Sequence, residues 1–161
     1  MKTIIFVLVF ALSLFFVFPS QVFSQETQKI DKNLDNIAIQ YAECAAYYEL
    51  VYYAMKASDE NKTANTYRQL ENDAMLYSLL LANEGRSKDL AIEVTNARFD
   101  IYIKKMKQEA DHSNENISIL INKYHFQCQE LMKNPPTELT EVLKRKILEE
   151  ANNQSLSKDQ P

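Results

Sequence analysis

A single glycine, Gly85, in a chain of 161 residues is the feature that most limits what this sequence can fold into. Average usage of about 7% would supply roughly eleven. Hairpins, bulges and tight turns of a β-sheet draw on glycine wherever φ must be positive. Phosphate-cradling loops need several glycines close together. Sheet architectures, Rossmann sites and P-loops are therefore excluded, and an all-α chain remains. The length suits one domain.

The N-terminus reads as a targeting segment. Lys2 precedes an apolar run from Ile4 to Phe18 broken only by Ser13, and Pro19 and Ser20 close it. The run is about 15 residues, short of the roughly 20 that cross a bilayer. Val22-Phe23-Ser24 then places compact residues three before and one before a cut ahead of Gln25. That is the layout of a secretory signal peptide. The expected organisation is a signal over residues 1–24, a helical bundle domain over 25–151 and a polar, disordered tail over 152–161. The mature chain is then secreted or periplasmic; an uncleaved membrane anchor is the rival reading. Losing Lys2 takes the charge from −4 to −5, with 17 basic against 22 acidic residues. An acidic domain lacks the basic footprint that nucleic acid requires.

Hydrophobic spacing predicts four long helices and a short fifth. Leu34, Ile37, Tyr41, Cys44, Tyr48, Val51 and Met55 follow a 3-4-3-4 pattern over about Asp31–Met55, the seam of a packed helix. Tyr67, Leu70, Ala74, Tyr77 and Leu81 repeat it in a second helix, which Gly85 would end with a left-handed cap. Ser87 is placed to cap a third helix carrying Leu90, Val94, Ala97 and Ile101. Ser113 or Asn114 would cap a fourth, with Ile117, Ile121, Tyr124, Cys128 and Leu131, which Pro135 and Pro136 end. Thr137 would cap a shorter helix ending near Ala151. Short connections favour antiparallel neighbours, so the expected fold is an up-down-up-down four-helix bundle with a short C-terminal addition.

In that layout Cys44 and Cys128 fall at one height, both on seam positions. An even cysteine pair in an exported chain reads as a disulfide. The alternatives are two free core thiols, or a redox or metal pair, the last without any C-x-x-C spacing. The same alignment leaves the start of the first helix overhanging the fourth. Leu139, Val142 and Leu143 are expected to cover the Leu34 and Ile37 end.

Candidate chemical sites fail on geometry. Glu109 and His112 match the Glu-x-x-His element of di-iron bundles, but Asn122 stands three residues before His125, so no second copy exists. Met55 and His125 fall at different heights for a haem pair. No H-E-x-x-H, G-x-S-x-G or C-x-x-C-H is present. No metal, cofactor or enzymatic activity is expected. Lys104, Lys105 and Lys107, and Lys144, Arg145 and Lys146, sit in the C-terminal halves of their helices, where positive charge complements the dipole. Asn61, Asn116 and Asn153 begin N-x-S/T triplets, which matter only in a eukaryotic secretory route.

The first helix is apolar nearly all round: from Tyr41 to Met55 only Glu43 and Glu49 are charged. Beyond its seam it carries Tyr47, Leu50 and Tyr53, and tyrosine suits contact surfaces because it joins a large apolar ring to a polar tip. The leading expectation is an exported, non-enzymatic interaction or envelope accessory module, using these three residues on a protein partner or a second subunit. The alternative is a carrier holding a small apolar ligand between its helices.

Overall fold

Asp31 opens the first helix by accepting hydrogen bonds from the backbone N–H groups of Asn33 and Leu34, which satisfies donors that have no partner inside the helix. The computed structural model describes residues 30–158, so the expected signal segment lies outside the described residues. Among these, all regular structure is helical: α1 (Lys32–Ala57), α2 (Asn61–Ala82), α3 (Lys88–Glu109), a 3-10 turn (Asn114–Asn116), α4 (Ile117–Lys133) and α5 (Thr137–Lys158).

The punctuation is largely the one the residues dictate. Gly85 takes φ 82° just past α2, the left-handed geometry that costs glycine little. Ser87 accepts from the Leu90 N–H and starts α3. Ser113 instead caps the 3-10 turn, through the Glu115 N–H. Thr137 is the first helical residue of α5, not its cap. The fifth helix is also not short: it runs 22 residues, through the stretch expected to be a disordered tail. No Pro or Gly interrupts residues 137–158, and each added residue gains a backbone bond once a helix is nucleated.

Helix α1 is the axle of the molecule. It packs against α2, α3 and α4 together, and from Tyr41 to Val51 every residue except Glu43 and Glu49 is buried. That explains a helix apolar on all sides: three neighbours, not two, cover it. Ala38, Ala42, Ala45 and Ala46, all fully buried, let those neighbours approach closely. Even the two charges are engaged, Glu43 with Lys105 of α3 at 3.3 Å and Glu49 with Arg68 of α2 at 2.6 Å.

Cross-links fix the register. Ser78 donates to the Ala38 carbonyl at 2.8 Å and Arg68 pairs with Glu49, so numbers fall along α2 as they rise along α1. Asp35 with Arg98, and Glu43 with Lys105, advance together along α1 and α3. Tyr41 with the Leu131 carbonyl, Cys44 with Cys128, and Tyr47 with His125 form a ladder in which each three-residue step along α1 meets a three-residue step back along α4. Cys44 and Cys128 are joined as a disulfide with Cα atoms 5.3 Å apart, and no free cysteine remains among the described residues.

Helix α5 leans chiefly on α2. Leu139 and Val142 are buried in the same cluster as Ile37, with Leu34 and Leu143 packed against its edge. Asn33 Nδ2 donates to Glu138 Oε1 at 2.7 Å, tying the starts of α1 and α5. Helix α5 thus starts beside that end of α1 and takes most of its seat from α2. At that same end Asp35 accepts from Arg86 at 2.6 Å and from Arg98 at 2.8 Å, the latter contact reaching both carboxylate oxygens.

Candidate functional site

The residues expected to form a contact surface are split by the fold. Tyr47 is 0% exposed and Leu50 9%, whereas Tyr53 is 50% exposed. Tyr47 faces α4, where its Oη lies 3.2 Å from His125 Nδ1 and its ring 6.2 Å from that of Tyr124. Leu50 lies against a cavity of about 250 Å³ under the α3–α4 connection, with Ala110, Ile117 and Leu120. Tyr53 is outside, with its ring 5.1 Å from that of Tyr52 and 5.7 Å from the Arg68 guanidinium. The three do not make one exposed patch. The physical reason is the third neighbour of α1: helical spacing reveals two apolar sides, but not which of them a non-adjacent helix will cover.

A larger concavity than the one beside Leu50 lies elsewhere. A cleft of about 600 Å³ opens between α2 and α4, with Tyr48 of α1 in its lining. Helix α2 contributes Lys62, Thr63, Thr66, Tyr67 and Leu70, spaced so that they fall on one face. Helix α4 contributes His125, Gln129, Met132 and Lys133, again on one face. Tyr48, Tyr67, Leu70 and Met132 provide apolar area; the threonine hydroxyls, the glutamine amide and the two ammonium groups provide polar atoms. Among the described residues no carboxylate lines the cleft. Both lysines are exposed, while Tyr67, Leu70, His125, Gln129 and Met132 are half-buried.

An aromatic core stands behind this lining. The Tyr47 and Tyr48 ring centroids are 5.1 Å apart, and those of Tyr48 and Tyr67 6.0 Å apart, within the range for favourable ring pairs. Burial pushes the Tyr47 and Tyr48 phenols well above their ordinary value, so both stay protonated at any physiological pH. The Tyr47 hydroxyl and His125 Nδ1, 3.2 Å apart, are hydrogen-bond partners that hold the imidazole at the cleft margin. Tyr41 likewise stays protonated through burial and donates to the Leu131 carbonyl.

The other charged groups are structural. Glu109 accepts from Lys123 Nζ at 2.8 Å and from Tyr124 Oη. Burial raises its pKa, but those two donors outweigh it and hold the carboxyl below the ordinary range. His112, three residues on, sits in a left-handed turn with φ 55°. Arg68 bridges Glu49 and Glu71 and stacks 3.9 Å from the Tyr52 ring centroid. Among the described residues no group of three or more His, Cys, Asp or Glu is placed to hold a metal, and no described helix is long and apolar enough to cross a membrane.

The sequence signal for the cleft was faint. Tyr67 and Leu70 read as seam residues of the second helix. Set against known protein families, curated proteins and solved structures, the chain matches none.

Proposed function

We propose that this chain is an exported, non-enzymatic helical binding protein that holds a small, largely apolar molecule in the cleft between α2 and α4. The observation that carries this reading is the cleft itself: about 600 Å³, with Tyr48, Tyr67, Leu70 and Met132 among its lining residues. That volume falls in the range of small-molecule sites, which combine an apolar lining with a few polar groups. In this reading the four long helices alternate in direction as an up-down-up-down bundle, supported by the α1–α2, α1–α3 and α1–α4 registers. Export is supported by the signal layout of residues 1–24 and by the Cys44–Cys128 bond, since disulfides persist in oxidising compartments. The rival reading, a protein-interaction module working through the first helix, has only Tyr53 of its three residues at the surface.

Native mass spectrometry of the exported, non-reduced protein tests this. The expected mass is that of a chain beginning at Gln25 with both cysteines oxidised, carrying a co-purified small molecule that a Met132→Arg variant does not retain. Protein that neither retains a small molecule nor takes up an apolar fluorescent probe would overturn the binding reading. Protein that retains residues 1–24 would overturn cleavage.

A further inference from the structure

We propose that the ligand of this cleft is an anionic amphiphile, a molecule with an apolar tail and a carboxylate-like head; this rests on the reading of the cleft as a small-molecule site. The charge around the opening is opposite to that of the chain. The protein carries 22 acidic against 18 basic residues, yet among the described residues the cleft is lined by Lys62 and Lys133 and by no Asp or Glu. Seven other basic side chains, among them Arg68, Lys105 and Lys123, are tied to carboxylates. Lys62 and Lys133 make no ion pair with any described residue. Their ammonium groups stay solvated at the margin, where a ligand head meets them without first being stripped of water.

The lining also places apolar side chains near a lysine on each helix. On α2, Lys62 and Thr63 precede Tyr67 and Leu70; on α4, Met132 adjoins Lys133. An apolar tail over Tyr48, Tyr67, Leu70 and Met132 therefore lies within reach of a cation at either margin. A neutral apolar ligand would leave both ammonium groups unused, and a small hydrophilic anion would leave the aromatic lining unused. A molecule carrying both parts uses the whole surface.

The test compares dodecanoate with dodecanol below their aggregation concentrations, by isothermal titration calorimetry on the mature, disulfide-intact protein. The two probes share a tail and differ in head charge. Dodecanoate is expected to bind about tenfold more tightly than dodecanol, the order of one charge-assisted contact. In the double variant Lys62→Gln/Lys133→Gln that preference is expected to disappear. Both substitutions are at exposed positions, so the fold is retained, which circular dichroism checks. Equal affinity for both probes would overturn the anionic class and leave the cleft reading standing. A preference that survives in the double variant would overturn the assignment to these lysines. Binding of neither probe would overturn the cleft reading together with the proposal.

Discussion

Tyr47 Oη stands 3.2 Å from His125 Nδ1, one ladder step beyond the Cys44–Cys128 bond on both helices. The phenol is fully buried and kept protonated by that burial. Tyr47→Phe should lower stability by about 1 kcal/mol, the net worth of one hydrogen bond. Thermal melts of Tyr47→Phe, His125→Ala and the double variant would measure it. The double variant should lose less than the sum of the singles, because the two groups share one interaction.

The disulfide closes a long loop, its cysteines standing 84 positions apart in the sequence. In the chain-entropy account a link of this span stabilises by roughly 4–5 kcal/mol. Cys44→Ser/Cys128→Ser, or reduction of the native protein, should drop the melting temperature by more than about 10 °C. Scanning calorimetry with and without reductant reads this directly.

Asp35 joins the start of α1 to Arg86 and Arg98. Burial raises its pKa, but the hydrogen bonds and charges of Arg98 and Arg86 outweigh that and hold it below the ordinary value of 3.8. A carboxyl depressed in the folded state adds stability above its unfolded pKa and loses it as pH falls through the folded one. Stability should therefore fall below about pH 4, and Asp35→Asn should flatten that fall. The variant should also cost about 2 kcal/mol at pH 7, since it leaves two largely buried guanidinium groups short of a counter-charge. Urea unfolding from pH 2 to 7 gives both quantities.

Leu139 is fully buried although it follows Pro135 and Pro136 closely. Leu139→Ala should cost about 2–4 kcal/mol through lost burial and the cavity left behind. Deleting residues 137–161 should lower the melting temperature at least as much, because Val142 and the Asn33–Glu138 bond leave with it. An unchanged transition would mean that α5 does not seal the Ile37 end.

Thr95 is 2% exposed and its hydroxyl has no hydrogen-bond partner among the described residues. A buried, unsatisfied polar group is a cost the fold carries. Thr95→Val keeps the shape and removes that cost, so it should raise stability by about 1 kcal/mol. A melt at or below that of the parent would contradict the burial.

Much of this fold is legible in the residue pattern, and the exceptions share a cause. Tyr41, Cys44, Tyr48 and Val51 lie buried along the seam their spacing indicates, and Gly85 and Ser87 mark a helix end and start. Burial of Tyr47 depends on α4 reaching α1, and that of Leu50 on the α3–α4 connection, relations between elements far apart in the sequence. The cleft depends on the space between α2 and α4, which no local spacing encodes. A glycine count, finally, is too strict a gauge of left-handed turns. Asp59, Asp111 and His112 all take positive φ at helix ends, and Asp and His tolerate that region better than most side chains.

The Cys44–Cys128 bond fastens α4, one wall of the cleft, to α1, which carries Tyr48. Stapling and shaping are thus the same covalent act. A chain that never met an oxidant would keep its helical rods, but the cleft between α2 and α4 would lose its covalent gauge. Under the proposed function, ligand affinity should then report on the redox history of each molecule as faithfully as any thiol assay.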